Sequence, residues 1–270
     1  MKRAISLIVL VACGSGSGTN DASIDGNHQR PDATDDLDHD GILDAVDNCP
    51  SVINVNQGNE DGDRFGDACD PCPVVADDAP PDADGDGVAD ACDPLPNYPG
   101  DFIRYFEGFH TAVPAGWEEI GTWTYATGGA ITTSSATAGL AISATDRTRE
   151  TISAAITFDT VTGTSEAGVV DNKAVGGTGI ACTVTADPAV AVYATNDTGN
   201  AVTTSYEQTT GTQYVVKLRR NMNDYTCTAT ATASATAMKT VTLTNTPFLS
   251  GITAKDATVR FHWFMVVESL

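Results

Sequence analysis

The sequence has few basic residues and few aromatic ones. Lys and Arg together number 14 in 270 residues, against 36 Asp and Glu, and the formal net charge is −22. Proteins that bind nucleic acids contact phosphates through Lys and Arg, so the composition argues against a nucleic-acid partner. An anionic membrane surface would repel the chain for the same reason.

Aromatic residues make up 7%. The length allows one large domain or two modest ones.

The negative charge is concentrated in one third of the chain. Residues 14–100 hold 21 of the acidic residues and only two bases, Arg30 and Arg64. Residues 101–270 hold 15 acids and 10 bases, which is close to an ordinary globular surface. The sequence therefore divides into an acidic region and a more typical domain.

The chain begins with features of an export signal. Lys2 and Arg3 precede an apolar stretch that is too short to span a bilayer but fits the apolar part of a secretory signal. Leu10-Val11-Ala12-Cys13 resembles the bacterial lipobox, which implies a signal peptide over 1–12 and a lipid anchor on Cys13. Gly14 does not signal inner-membrane retention, so we expect the outer membrane or cell surface. A plain secretory signal, giving a secreted protein, is the alternative. Residues 13–35 are rich in Gly and polar residues and predict a flexible tether.

An acidic pattern then occurs three times with a period of 23 residues. Each 12-residue copy has oxygen-bearing side chains at positions 1, 3, 5, 9 and 12, and position 6 is glycine except for Arg64 in the middle copy. Carboxylates at alternate positions of a tight loop converge on one point, and Ca²⁺ prefers six to eight oxygen ligands. The position-7 carbonyl adds a neutral ligand. The predicted calcium ligands are Asp36, Asp38, Asp40, Ile42, Asp44 and Asp47; Asn59, Asp61, Asp63, Phe65, Asp67 and Asp70; and Asp82, Asp84, Asp86, Val88, Asp90 and Asp93.

Two other interpretations of the acidic pattern are weaker. A solvated acidic run would not repeat the same spacing three times. An EF-hand would place each loop between helices, whereas Pro50, Pro71 and Pro94 follow the loops where an exiting helix would run.

Seven cysteines leave six once Cys13 is set aside. Cys49 and Cys69 are 20 residues apart, as are Cys72 and Cys92, and a disulfide closing such a loop stabilises by roughly 3 kcal/mol. A segment with so few apolar residues needs such crosslinks together with metal. The two remaining cysteines, Cys182 and Cys227, form the third predicted disulfide, which we expect to tie neighbouring strands. The sequence does not prove this connectivity.

The acidic region resembles the thrombospondin type 3 repeat. The resemblance covers about residues 32–96 and rests on the acid spacing, on Asp47-Asn48-Cys49-Pro50, on Gln57 and on both cysteine pairs. It implies a calcium-loaded stalk over 36–96 with little regular secondary structure, in which ions replace the hydrophobic core. Asn59 and Arg64 depart from the family pattern and imply a weaker middle site.

Residues 101–270 predict a β-domain. The odd-numbered residues from 259 to 267 are all apolar and are predicted to share one face of a strand, and apolar residues at 264 and 266 indicate that the other face is covered too. A hairpin is predicted over 214–229. Ten to twelve short strands favour a two-sheet β-sandwich or a barrel. The aromatic segments at 106–123 and 259–267 resemble a concanavalin A-like jelly roll, which implies a lectin-like head. The predicted fold is thus mostly β, an irregular stalk followed by a β-sandwich.

The sequence contains no complete catalytic pattern. Glycosidases of this fold class place carboxylates on alternate residues of one strand. Glu118 and Glu119 are adjacent, and Glu166 and Asp171 fall on opposite strand faces. Trp117 is expected in the core rather than stacked on a sugar.

We therefore interpret the chain as a calcium-binding surface lipoprotein rather than an enzyme, used for adhesion or scaffolding, whose head binds a glycan or a surface protein. A polysaccharide-degrading enzyme of jelly-roll fold and an inert structural spacer are the alternatives. We expect calcium removal to loosen 36–93 and to leave the β-domain folded.

Overall fold

The computed structural model describes residues 35–110, 116–126, 130–133, 137–143, 148–171, 179–186, 189–194, 197–206, 208–231, 233–240 and 249–270. The predicted signal peptide 1–12, Cys13 and all but the last residue of the tether 13–35 lie outside these ranges. No helix that could cross a membrane is found in this part of the chain.

Among the described residues, regular secondary structure is found only from residue 101 onward. Residues 35–100 consist of turns, bends and irregular chain, as the resemblance implies. The strands from residue 101 onward are β1 Asp101–Glu107, β2 Glu118–Ile120, β3 Trp123–Ala126, β4 Ala130–Thr133, β5 Thr137–Ser143, β6 Arg149–Thr160, β7 Glu166–Asp171, β8 Ile180–Thr185, β9 Ala189–Ala194, β10 Asp197–Ser205, β11 Gln213–Asn221, β12 Asp224–Thr230, β13 Ser234–Thr240, β14 Leu249–Lys255 and β15 Thr258–Ser269.

The strands form two antiparallel sheets packed face to face. The first sheet has the order β13-β12-β11-β6-β15-β4-β3, and β1 also pairs with β15. The second has the order β10-β9-β8-β7-β14-β5-β2. Many neighbours are distant in sequence, which is the pattern of a jelly-roll β-sandwich. The predicted mostly β fold is confirmed.

The core lies between the two sheets and follows from strand alternation. On β6, Ile152, Ala154, Ile156 and Phe158 point inward and are fully buried, because successive side chains of a strand point to opposite faces. The disulfide between Cys182 and Cys227 joins β8 of one sheet to β12 of the other. The expectation that it ties neighbouring strands is wrong, since it crosses the core and fixes the two sheets together.

A bulge in β15 changes which residues face the core. Phe261 lies opposite Ile156 and Trp263 opposite Ala155, so His262 is an extra residue on this strand. The bulge reverses which side chains face the core, because one inserted residue moves every later side chain to the other face of the sheet. The prediction of one shared face over 259–267 is therefore wrong. Val259 and Phe261 face the core with the even-numbered 264 and 266, while Trp263, Met265 and Val267 face outward.

The outward face of β15 is covered by the acidic region. Trp263 and Met265 join a buried cluster with the disulfide cysteines Cys72 and Cys92 and with Val88 of the third repeat. Both faces of β15 are therefore covered, as its apolar residues indicated. The third repeat is packed on the sandwich along this contact and is not a free-standing stalk.

Candidate functional site

The position-3 aspartates present the same atom in the same way in all three repeats. The Oδ1 atoms of Asp38, Asp61 and Asp84 accept the backbone N–H of the position-5 residue at 3.1, 3.1 and 3.3 Å. Their Oδ2 atoms are buried, and no hydrogen-bond donor among the described residues reaches them. A buried carboxylate oxygen without a donor is costly unless a proton or a cation compensates it.

Each of these three aspartates belongs to an acidic cluster. Within each cluster one carboxylate oxygen from each residue lies within 4.8 Å of the others. The clusters are Asp36, Asp38 and Asp40; Asp61, Asp63 and Asp70; Asp82, Asp84 and Asp86; and Asp86, Asp93 and Asp101. Positions 1, 3, 5 and 12 thus supply the convergent oxygens, which is the hard-oxygen donor set that Ca²⁺ takes.

The predicted ligands at positions 9 and 7 have structural partners. The position-9 carboxylates accept the backbone N–H of the position-2 residue at 2.7–2.9 Å, in the pairs Asp44–Leu37, Asp67–Glu60 and Asp90–Ala83. The position-7 N–H groups of Ile42, Phe65 and Val88 donate to position 5 at 2.7–3.0 Å. Position 9 therefore closes the loop and stands outside the convergent clusters, while the position-7 carbonyls remain predicted ligands.

Position 12 also contributes a free oxygen. Asp47 and Asp93 accept a backbone N–H through Oδ1, and their Oδ2 atoms are buried with no described donor. Gln57 supports the first of these, since its Nε2 donates to Asp47 Oδ1 at 2.8 Å and its Oε1 accepts the N–H of Asn48 at 3.1 Å. Gln57 thus orients a candidate ligand.

The middle repeat is built differently at position 1. Asn59 Oδ1 accepts the N–H of Gly62 at 2.7 Å, and its Nδ2 donates to the carbonyl of Asp63 at 2.8 Å. Asp82 Oδ1 accepts the N–H of Gly85 in the same way. The middle repeat differs in the second bond, since Asn59 Nδ2 donates, whereas the Oδ2 atoms of Asp36 and Asp82 accept the N–H of the position-6 glycine at 3.1 and 3.0 Å. The weaker middle site implied by Asn59 stays a prediction, with Asp61, Asp63 and Asp70 as its carboxylates.

Position 6 does not impose the same backbone in every repeat. Gly41 and Gly87 adopt φ values of 94° and 99°, the left-handed region that glycine tolerates best. Arg64 is not among the residues with positive φ, and its guanidinium lies 4.4 Å from the centre of the Phe65 ring. The middle loop therefore turns without a glycine at position 6.

The electrostatics of the clusters favour a positive ligand. Burial, with the nearby carboxylates of Asp61, Asp63 and Asp67, raises the pKa of Asp70 to about 6. Burial, with the adjacent carboxyl of Asp101, raises the pKa of Asp93 to about 7. A divalent ion removes this cost, because it pairs with the ionised oxygens that are otherwise crowded together. The residues present therefore fit Ca²⁺.

Asp101 is a member of a cluster that the sequence prediction omitted. It is the first residue of β1 and is 3% exposed, and no described donor reaches its Oδ2. The repeat pattern ends at Asp93, so spacing alone gave no reason to include it.

His110, which is isolated in the sequence, bridges the sandwich to the middle repeat. Its Nε2 lies 3.2 Å from Asp67 Oδ2 and 3.8 Å from a carboxylate oxygen of Glu60. The bond to Asp67 raises the pKa of His110. This histidine joins the two regions at a second place, apart from the cluster around Trp263.

A carboxyl pair lies inside the sandwich. Glu150 on β6 and Asp171 on β7 are both buried, and Arg220 Nη1 lies 3.7 and 3.8 Å from them. Burial, followed by the charge of Asp171 and a hydrogen bond to it, raises the pKa of Glu150. Retaining glycosidases hold their carboxyls about 5–5.5 Å apart around a sugar. Two buried carboxyls that are hydrogen-bonded to each other do not offer that arrangement.

A separate cavity of about 500 Å³ opens at the edge of the sandwich. It is lined by Tyr206 and Tyr214, whose ring centres are 5.8 Å apart, and by hydroxyls including those of Thr209 and Ser234. An aromatic ring with several hydroxyls is a lining that suits a polar ligand with apolar faces. Trp117, in contrast, is 9% exposed and packs in the core, as expected.

No protein-family model matches the chain, and no curated protein matches it either. Among solved structures it is similar to the Bacteroides ovatus protein described as "Xyloglucan PUL GH43B", at 17% identity and a TM-score of 0.49, over 61% of this chain and 39% of that one. It is similar to carbohydrate-binding module CBM66 from Bacillus subtilis, at 18% identity and a TM-score of 0.47, over 57% and 96%. It is also similar to the exoplasmic/lumenal domain of VIP36 in its Ca²⁺/Man3GlcNAc-bound form, at 7% identity and a TM-score of 0.48, over 61% and 88%. At these values we draw no functional argument from the likenesses.

Proposed function

We propose that this chain is a calcium-binding surface protein in which three repeats hold Ca²⁺ against a lectin-like β-sandwich. The convergent carboxylates of positions 1, 3, 5 and 12 would hold the ions. The head would serve adhesion or scaffolding by binding a glycan or a surface protein, and the lipid on Cys13 would anchor the protein at the outer membrane or cell surface.

One observation carries the calcium assignment. The Oδ2 atom at position 3 is buried and lacks a described donor in each of Asp38, Asp61 and Asp84. A solvated acidic segment has no reason to bury the same atom three times, because burying an ionised carboxylate without a partner is unfavourable. A cation at the centre of each cluster accounts for all three.

Calcium titration by calorimetry tests the assignment. We expect the full chain to bind several Ca²⁺ ions, and the triple variant Asp38→Asn, Asp61→Asn, Asp84→Asn to lose most of that binding. A control variant is Glu118→Gln with Glu119→Gln, which removes two exposed acids from β2 and should leave binding unchanged. Absence of calcium binding by the unaltered chain would contradict the proposal.

The tyrosine-lined cavity favours a glycan ligand for the head. Tyr206 offers a partly exposed ring and donates its hydroxyl to the carbonyl of Ala233 at 2.8 Å, which fixes the ring at the cavity wall. A fixed aromatic ring can stack on a sugar while neighbouring hydroxyls bond its polar groups.

A glycan array with matched variants tests this second part. We expect Tyr206→Ala to weaken binding of any glycan that the unaltered chain retains. Tyr98→Ala is the control, since Tyr98 is 71% exposed on the acidic region and away from the cavity. Equal binding by both variants would move the glycan site elsewhere, and an array without signal would favour a protein ligand or an inert spacer. Release of reducing sugar from a polysaccharide would instead favour the enzyme alternative.

A further inference from the structure

The last acidic cluster lies across the boundary between the acidic region and the β-sandwich. Asp86 and Asp93 belong to the third repeat, whereas Asp101 is the first residue of β1. One carboxylate oxygen from each lies within 4.8 Å of the other two. The cluster thus takes ligands from both regions of the chain.

The backbone around this cluster continues the geometry of the repeats into the sandwich. In the first two repeats the position-5 Oδ2 accepts a backbone N–H from a residue 14 positions later, in Asp40–Asn54 at 2.9 Å and Asp63–Asp77 at 3.0 Å. In the third repeat Asp86 Oδ2 accepts the N–H groups of Gly100 at 2.9 Å and Asp101 at 2.7 Å. The start of β1 therefore occupies the place that Asn54 and Asp77 occupy in the first two repeats, just before the next repeat begins.

Asp101 gives a second observation that points to a ligand. Asp101 is only 3% exposed, and no donor among the described residues reaches its Oδ2 atom. The Oδ2 atom of Asp93 is in the same condition. One cluster therefore holds two residues that each bury a carboxylate oxygen without a donor among the described residues, and a hard divalent cation would satisfy both.

Resting on the proposed calcium function, we infer that Asp86, Asp93 and Asp101 bind one divalent cation that fastens the third repeat to β1. The ion is shared between regions, so its binding energy also holds the first strand of the sandwich. Asp101 pairs with Ser269 of β15, and the Leu270 N–H donates to the carbonyl of Gly100 at 3.2 Å. The same ion therefore holds the strand that pairs with the end of the chain.

Equilibrium dialysis with Ca²⁺ and hydrogen exchange on the full chain test the inference. We expect Asp101→Asn to bind one Ca²⁺ fewer than the unaltered chain and to lose calcium-dependent protection of the β1 amides. When Ca²⁺ is 100 times its dissociation constant, that protection should be about 100-fold. Asp159→Asn is the control, because it removes an aspartate from the sandwich far from the cluster, where Asp159 pairs with Arg260 at 2.8 Å.

Asp93→Asn provides an independent check from the other side of the boundary. It removes a ligand on the repeat, so we expect it to abolish the protection of β1 as Asp101→Asn does. The inference is overturned if Asp101→Asn keeps both the full count of Ca²⁺ and the protection of β1. If the unaltered chain binds no Ca²⁺ at all, the proposed function itself fails, which is a distinguishable result.

Discussion

The acidic region and the β-sandwich bury different kinds of chemical groups. Residues 35–100 have no strand or helix, and their buried groups are mostly aspartate oxygens, backbone amides and two disulfides. Residues from 101 onward bury rows of apolar side chains between two hydrogen-bonded sheets. The sandwich is thus stabilised by the hydrophobic effect, which needs no ligand, whereas in the repeats the proposed role of Ca²⁺ is to satisfy the buried carboxylate oxygens.

The contact between the regions qualifies this contrast. Trp263 and Met265 on β15 meet Cys72, Val88 and Cys92 of the third repeat, and His110 meets Asp67 of the second. The third repeat therefore shares a small hydrophobic cluster with the sandwich. The first repeat has exposed Leu37, Val46 and Ile53 instead, so calcium should matter most where the sandwich helps least.

Truncating the two aromatic residues on either side of the β15 bulge should give the largest difference between the two regions. Phe261→Ala removes a core side chain and should lower the free energy of unfolding by about 3–5 kcal/mol. Trp263→Ala should cost the sandwich less but release the third repeat, because Trp263 packs on that repeat. Denaturant unfolding measures the first effect and limited proteolysis of 72–92 the second. Equal proteolysis of both variants would show that the bulge does not divide the faces as described.

Removing a disulfide from each region gives the next largest effect. Loop entropy assigns about 3 kcal/mol to the Cys72–Cys92 crosslink and about 4 kcal/mol to Cys182–Cys227. In the double variant Cys72→Ser, Cys92→Ser we expect the loss to appear as weaker calcium binding with little change in the thermal midpoint of the sandwich. In the double variant Cys182→Ser, Cys227→Ser we expect a lower thermal midpoint of the sandwich with little change in calcium binding. A fall in calcium affinity in both pairs would contradict the division.

The smallest effect concerns the buried carboxyl pair of the sandwich. Burial and Asp171 raise the pKa of Glu150 above its usual 4.5 in the folded state. The folded protein therefore holds a proton that the unfolded chain releases, and the associated stability is lost as pH rises through the folded pKa.

In saturating calcium, at pH values above 4.5, we expect the unaltered chain to lose stability with rising pH, by no more than about 1.4 kcal/mol per pH unit for one proton. Glu150→Gln should flatten this slope, and Glu166→Gln, which lies near Lys255 on the outer side of β7, should keep it. Denaturant unfolding at several pH values measures the slopes. Identical slopes in all three proteins would exclude Glu150 as the source.

Much of this architecture was predictable from the sequence because two kinds of periodicity are strong. The 23-residue acid spacing located the loops, and alternation located the hairpin of β11 and β12. Strand β10 was not predicted, because its Thr, Gly and Asn residues give no apolar alternation.

The parts that escaped prediction depend on contacts between distant residues. The bulge at His262 could not be predicted, because the residues from 263 to 267 are all apolar and either face of the strand could therefore be buried. Asp101 lies beyond the repeat spacing and joins Asp86 and Asp93 only when the chain folds back. Glu150 and Asp171 lie on different sheets. Within the loops, spacing identified position 9 as a ligand; its carboxylates also accept the N–H that closes the turn, and their role as ligands stays a prediction.

Hydrogen exchange of the full chain with and without calcium tests the central claim most directly. If cations take the place of a core in the repeats, amides of residues 36–93 will be protected in calcium and will lose protection on chelation. Core strands of the sandwich such as β6 will stay protected in both conditions. Amides of 36–93 that exchange at the same rate with and without calcium would contradict the account.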